Sequence, residues 1–259
     1  MEFEHIIVEI RDNIEFITLN RPQVMNALNI DTVSELREAV ELAGSSEEVK
    51  VVIITGAGDR AFAAGADISE MRDLTPAGGR DMIANGQALM LEIEALEKPV
   101  IAALNGYTIG GGFELALACD IRIAAEKVQF SFPEPTLGII PGYGGTQRLL
   151  RIIGRGPTMY YCMSEERITA QRAYELGLVA KVVPAEELMD ECLKLAAGFL
   201  RKSVAANAAL KRVIRAGAEV DLAAGLKIES REFDRLFSSP DRVTRMTAFL
   251  ENQKAKKRK

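Results

Sequence analysis

The sequence predicts an α/β fold with parallel strand pairing, followed by a helical C-terminal part. Three observations carry this. Val51-Val52-Ile53-Ile54-Thr55 and Val100 to Leu104 are continuous apolar runs of strand length, the pattern of strands covered on both faces. Helical periodicity lies between the strand-like runs, and that order favours parallel crossovers. After Pro141-Gly142-Tyr143-Gly144-Gly145 the chain reads as helix nearly throughout.

Phe3 to Ile10 and Ile14 to Asn20 alternate, are rich in β-branched residues and flank Arg11-Asp12-Asn13, which predicts a β-hairpin. Asn20-Arg21-Pro22 ends it, and a loop through Met25-Asn26-Ala27-Leu28 follows. Asp31 to Leu42 puts Val33, Leu36 and Val40 on one helical face, with Gly44 as the stop. Gly56-Ala57-Gly58 breaks the next strand, and Ala61 to Ile68 reads as a small-residue loop in which Asp67 caps a short helix. A longer helix is expected from Gly79 to Glu97, closed by Pro99. Asp120 to Ala125 and Val128 to Phe132 read as short strands. Helices then fall near 146–153, 157–163, 169–175, 185–200, 203–215, 219–237 and 240–250, with Val179 to Val183 as the one strand-like interruption. This places a division near residue 195, between an α/β core over 1–195 and a helical part over 196–259. The basic end, Lys254 to Lys259, reads as disordered.

With 259 residues the chain suits one large domain, or a core with a small appendage. A net charge of −5 argues against a nucleic-acid-binding body. RNA contact through the basic tail is the lesser alternative to a solvated end, so no nucleic-acid partner is expected. No run approaches the roughly 18 apolar residues of a membrane span. Met1-Glu2-Phe3-Glu4-His5 carries acids and no apolar signal core, so a cytoplasmic location is expected. Cys119, Cys162 and Cys192 are odd in number and far apart, which fits reduced thiols packed as small hydrophobes. His5 is the only histidine and lies far from the glycine-rich centre, so nucleophile–histidine catalysis and a zinc site are disfavoured. Neither a Rossmann glycine fingerprint nor a P-loop is present.

The chemistry concentrates in Asn105 to Gly145. Gly110-Gly111-Gly112 follows an apolar strand and precedes a helix-like segment, Leu115 to Ala118. Glycine lets a ligand oxygen approach bare amides, and the first amides of a helix have no partner within it. A strand, a glycine turn and a helix start therefore make a seat for a negative oxygen. Glu114 stands at its edge among Phe113, Leu115, Ala116 and Leu117. Glu134, between Pro133 and Pro135, offers a second carboxyl in an apolar setting. Burial raises a carboxyl pKa and poises it for proton transfer near neutrality. Ala64-Gly65-Ala66-Asp67 is a candidate source of a second amide, since oxyanion holes typically aim two donors at one oxygen. The alternative is a pair of structural carboxylates beside an ordinary helix-cap loop.

Phe62-Ala63-Ala64-Gly65-Ala66-Asp67, Asn105-Gly-x-x-x-Gly-Gly-Gly-x-Glu114 and Pro133-Glu134-x-x-x-Gly138-x-x-Pro141-Gly-x-Gly-Gly-Thr-Gln-Arg148-Leu together resemble the crotonase, or enoyl-CoA hydratase, superfamily. Asn20-Arg21-Pro22 and Ala170-x-x-Ala173-x-x-Leu176-Gly177-Leu178-Val179 fit its pattern too, so the likeness spans nearly the whole chain. The resemblance implies a spiral of repeated ββα units with a helical C-terminal domain, assembled as a homotrimer or homohexamer. It implies acyl-CoA thioesters as substrates and no separate cofactor, coenzyme A being part of the substrate. The amides of Ala66 and Gly111 would form the oxyanion hole, with Glu114 and Glu134 as the catalytic pair. Ala64, Gly65, Asp67, Ile68, Ser69 and Gly142 would contact substrate. Ser69 stands where many hydratases carry a lysine, and Pro135-Thr136 departs from the commoner apolar residues. Both glutamates together favour hydration over the isomerisation or hydrolysis of sister enzymes.

Overall fold

Strands are laid down in consecutive pairs, and most pairs send one strand to each of two sheets. The computed structural model describes residues 3–164 and 166–256. β1 (Ile6–Arg11) and β2 (Ile14–Leu19) form the opening hairpin, and α1 (Ile30–Ser45) follows, capped by Asn29. Next come β3 (Val51–Gly56), β4 (Ala61–Ala63), α2 (Ile68–Met71) and α3 (Pro76–Ala95), then β5 (Val100–Leu104), β6 (Tyr107–Ile109) and α4 (Gly111–Ala118). β7 (Ile121–Ala125) and β8 (Gln129–Ser131) lead to α5 (Gly145–Ile153) and α6 (Arg155–Ser164). β9 (Ile168–Thr169), α7 (Ala170–Glu175), β10 (Lys181–Val183) and α8 (Leu188–Leu200) complete the core, and α9 (Val204–Gly217), α10 (Leu222–Phe237) and α11 (Pro240–Lys256) end the described chain.

One sheet runs β1-β2-β3-β5-β7-β10 and the other β4-β6-β8-β9. After the hairpin, every pairing in the first sheet is parallel. The units β3-β4, β5-β6 and β7-β8 each split between the sheets, and helices follow them, which is the expected ββα spiral. All five residues of β5 are buried, because strands lie on both of its edges and helices cover the faces. The inner residues of α8, Leu188, Cys192 and Ala196, are buried, and the helix packs on β3, β5 and β7.

Several sequence expectations shift. α1 runs through Gly44 to Ser45 instead of ending there, because Gly44 keeps a negative φ and does not adopt the left-handed conformation of a glycine stop. Ala61–Ala63 is a strand and not a loop; its residues are buried between β3 and β6, which outweighs their small size. The glycine turn follows β6, not β5 directly, and α4 already begins at Gly111. α3 starts at Pro76, where Thr75 caps it and proline suits the first turn. Position 195 falls within α8; the nearest break in regular structure is at 201–203, before α9. α11 carries helix through Lys256, and residues 257–259 of the expected disordered tail lie outside the described residues. Cys119 and Cys192 are buried as expected, whereas Cys162 is only partly so.

Candidate active site

The loop after β4, the start of α4 and the turn after β8 converge on a cavity of about 110 Å³, which α2 and α3 also line. α4 supplies one wall. Phe113 lies 4.6 Å from Phe132 and 5.1 Å from Phe130, ring centre to ring centre, and this stack ties α4 to the β8 segment. Gly112 must be glycine, since a Cβ there would stand 2.2 Å from the carbonyl oxygen of Ala63. That contact lets the start of α4 lie directly on β4. Gly110 caps the helix with φ +52°, a conformation L side chains rarely adopt.

The loop after β4 supplies the opposite amide. Leu28 donates to the Gly65 carbonyl at 2.8 Å and accepts from the Asp67 amide at 3.0 Å, so the Ala66 N–H points the other way, into the cavity. It lies 3.4 Å from the position a Cβ would take on Gly111. The Gly111 amide opens α4 and has no partner within the helix. Two N–H groups without a partner among the described residues thus face one small space. Arg21 stiffens this loop: its guanidinium donates to the Ala27 carbonyl at 2.7 Å and to Asp67 at 3.0 Å. Asn26 and Asn105 hold the preceding β3–β4 turn through the carbonyls of Ala57, Ala61, Gly56 and Gly58.

Both glutamates reach the same cavity. Glu114 is 2 % exposed and accepts from the Gly145 amide at 2.7 Å, at the N-terminus of α5. Burial pushes its carboxyl up to about 7, against the pull of the Gly145, Tyr143 and Gly144 amides and of Arg148. Glu134 opens a single 3₁₀ turn, Glu134–Leu137, and one of its oxygens is buried without a hydrogen-bond partner among the described residues. Burial pushes this carboxyl up to about 7 as well, and the neighbouring Glu114 adds to the rise. The other Glu134 oxygen lies 2.7 Å from where a Cβ on Gly110 would stand. A proton held between two such carboxyls belongs to the pair.

Of the predicted contacts, Ala64, Gly65, Ala66, Ile68, Gly111 and Gly142 line the cavity together with Glu114 and Glu134. Asp67 and Ser69 do not: Asp67 caps α2, accepting from the Ser69 amide and hydroxyl, and pairs with Arg21. The Ser69 hydroxyl first, and Arg21 with it, holds the Asp67 carboxyl below its usual range. Residue-by-residue reading missed Met71, Met82, Ile83 and Tyr143 as walls. Helical periodicity marks Met82 and Ile83 as apolar but not which neighbour they face. Tyr143 had a signal, an aromatic residue lodged among glycines, and in the structure its ring lies against Gly111.

Two amides facing two buried carboxyls form a site suited to holding a developing oxyanion and exchanging protons beside it. The chain belongs to the enoyl-CoA hydratase/isomerase family, whose model matches residues 9–258. It is 44% identical over 255 residues to the crotonyl-CoA hydratase of Syntrophomonas wolfei, covering 98% of each chain. It is 41% identical to the short-chain-enoyl-CoA hydratase of Clostridium acetobutylicum, over 98% of this chain and 97% of that one. The crystal structure of an enoyl-CoA hydratase from Bacillus anthracis superposes with a TM-score of 0.93 at 38% identity, covering 96% of this chain and 97% of the other.

Proposed function

We propose that the protein is an enoyl-CoA hydratase, adding water across the C2=C3 bond of 2-enoyl-CoA thioesters to give 3-hydroxyacyl-CoA. The observation that carries this is the Ala66 N–H facing the start of α4 across a cavity that both Glu114 and Glu134 enter. In this reading the thioester oxygen accepts from the Ala66 and Gly111 amides. Water held between the glutamates attacks C3. Its proton passes to Glu114 as the new C–O bond forms, and the π electrons move toward the thioester oxygen. Glu134 then delivers a proton to C2 as the enolate collapses. The two amides stabilise the charge where it develops, and losing one such donor typically costs about 2.7–4 kcal/mol. The thioester carbonyl is itself the electron sink, so the reaction calls for no metal or redox cofactor.

Self-association into a homotrimer or homohexamer belongs to the same proposal. Leu222, Ile214 and Phe233 on α9 and α10 are 79%, 69% and 61% exposed, more apolar surface than an isolated helical layer favours. A cytoplasmic setting fits three cysteines held as free thiols. Among the described residues no helix is long and apolar enough to cross a membrane.

The test is to follow loss of enone absorbance from crotonyl-CoA and identify the product, with a 3-enoyl-CoA run in parallel. The expected product is 3-hydroxybutanoyl-CoA. Double-bond migration without water uptake would replace this reading with isomerisation.

A further inference from the structure

A second layer of bonds stands behind Glu114. The Gly145 amide that its carboxyl accepts from belongs to the run Tyr143-Gly144-Gly145, which leads into α5. In a trans peptide the carbonyl and the N–H of one plane point in opposite directions, so whatever holds the carbonyl aims the amide. Arg148, one turn into α5, holds two of these carbonyls. Its guanidinium Nη1 donates to the Tyr143 oxygen at 2.8 Å, which fixes the plane that carries the Gly144 N–H. Its backbone amide donates to the Gly144 oxygen at 3.0 Å, which fixes the plane that carries the Gly145 N–H. Both N–H groups are thereby turned toward the Glu114 carboxyl. The second bond belongs to the helix itself; the first depends on the side chain. Gly144 permits the arrangement, with φ at +100° and the Arg148 Nη1 only 2.3 Å from where a Cβ would stand.

The guanidinium is itself braced. Glu94 on α3 accepts from Nε at 2.6 Å and from Nη2 at 3.1 Å, a bidentate fork, and the Arg148 and Glu94 side chains are 14% and 26% exposed. The planar group therefore meets a carboxylate on one edge and the Tyr143 carbonyl on the other. A lysine ammonium is a point charge and cannot serve both in one fixed geometry. Among the groups facing Glu114, Arg148 supplies the positive charge, and its pull works against the larger effect of burial. The other titratable groups there are Glu134, Tyr143 and, on α6, Cys162; burial, and with it the Glu114 charge, pushes all three up.

We propose that Arg148 is a positioning residue for Glu114 and that Glu94 braces it: the guanidinium holds the Tyr143 carbonyl so that the amides beyond it meet the carboxyl at one fixed angle. The assignment rests on Glu114 being the base in hydration and adds what aims that base. Neither Arg148 nor Glu94 lines the catalytic cavity, so neither touches the acyl group.

The test compares Arg148→Lys, Arg148→Met and Glu94→Gln with the parent enzyme. For each, kcat, KM and the pH profile of kcat/KM are measured with crotonyl-CoA between pH 5 and 9, with urea midpoints over the same range. Turnover should fall about tenfold in Arg148→Lys and Glu94→Gln, which keep the positive charge and loosen the aim, and about 10²-fold in Arg148→Met, which loses both. KM should stay within about twofold of the parent, because the binding contacts are untouched. The acid limb of the profile should move up by about one pH unit in Arg148→Met alone, since only there does the carboxyl lose its cation. A merely structural role would lower kcat in proportion to the folded fraction and leave the limb where it is. That outcome, or parent kcat in both Arg148→Lys and Glu94→Gln, overturns the proposal. Where Arg148→Met fails to fold, the other two variants decide through kcat against KM. If even the parent hydrates no enoyl-CoA, the hydratase reading fails, and the urea midpoints still judge the contact. Arg148→Met should then lose more stability between pH 5 and 8 than the parent does, and that excess should vanish when it is combined with Glu114→Gln. An excess that survives in the double variant overturns the proposal.

Discussion

The site is assembled from two unlike halves. Gly111 and Glu114 belong to α4, a helix whose eight residues are all buried and whose Phe113 is stacked into the aromatic cluster. Ala66 comes from a loop held by Leu28 and the Arg21–Asp67 pair, and Glu134 from a 3₁₀ turn that has no buried residue and is flanked by prolines. The first half is fixed by packing and the second by a few directed bonds. The Glu114 carboxyl therefore has its amide partner already in place, whereas one Glu134 oxygen is buried without a partner among the described residues, which leaves it free to hold a water.

The largest effect should come from the acids themselves. Glu114→Gln and Glu134→Gln should each cut turnover about 10²–10⁴-fold, the usual worth of a positioned acid or base. Butanoyl-CoA affinity should hardly change. Shortening by one methylene sharpens the contrast between the halves. Glu134→Asp sits on a turn that can adjust, and should retain about tenfold more turnover than Glu114→Asp, whose backbone is locked and where a misplacement of about 1 Å can cost 10²-fold. Equal losses in the two Asp variants, in steady-state rates, would remove the distinction between fixed and adjustable carboxyls.

Gly110→Ala tests how the adjustable half is aimed. The new Cβ would stand 2.7 Å from a Glu134 oxygen, at a φ of +52°. Turnover should fall about 10²-fold as the carboxyl is pushed aside. Gly138→Ala is the control: its φ is +74° but nothing lies within 4 Å, so it carries backbone strain without a clash at the acid. It should lower stability by about 1–2 kcal/mol with a much smaller loss of rate. Matching rate losses would mean strain, not displacement, governs both.

The halves also share a stability consequence. Both carboxyls rise to about 7 on burial, well above the roughly 4.3 of an unfolded glutamate. Between those values the folded chain binds more protons than the unfolded one. Stability is therefore full in acid and is lost as pH rises from about 4.5 through 7. Glu114→Gln cannot ionise and should gain on the order of 2 kcal/mol over the parent at pH 8, read from urea midpoints, with the gain shrinking through pH 5 and gone by about pH 4. Some slope should persist, because Glu15, buried on β2 with one unpaired oxygen, is pushed up to about 7 as well by burial, against the pull of Lys98. A Glu114→Gln enzyme less stable than the parent at pH 8 would mean that the Gly145 bond outweighs desolvation.

How much of this could be read beforehand follows the same division. The α4 half was legible because its signals are local: three glycines, a helix start and a glutamate among apolar neighbours. The parallel strands β3 and β5 were legible because strands buried on both faces must be apolar throughout. The loop half depended on the family motif. Nothing within Ala64 to Ser69 says that Leu28 will pair with it and turn the Ala66 amide inward, since that partner lies far back along the chain. β4 escaped notice for the same reason: Ala61 and Ala63 carry no strand preference and are extended only because β6 pairs with them. Tyr143 and Ile83 likewise gain their places from α3 docking on a loop over fifty residues away, for which periodicity offers no register.

Ser69 gives the smallest and most discriminating test of the loop half. The resemblance places it against coenzyme A, but its hydroxyl donates to Asp67 at 2.6 Å and it stays off the cavity wall. Removing that hydroxyl leaves the Asp67–Arg21 pair intact and only weakens the cap of a four-residue helix. Ser69→Ala should cost less than about 1 kcal/mol and leave KM for crotonyl-CoA within about twofold. Asp67→Asn weakens the Arg21 pair that holds the Ala66 amide in place, and should raise KM and lower kcat further than Ser69→Ala does. If Ser69→Ala alone raised KM tenfold, the serine would be touching the substrate and the loop would be held by fewer bonds than its geometry implies.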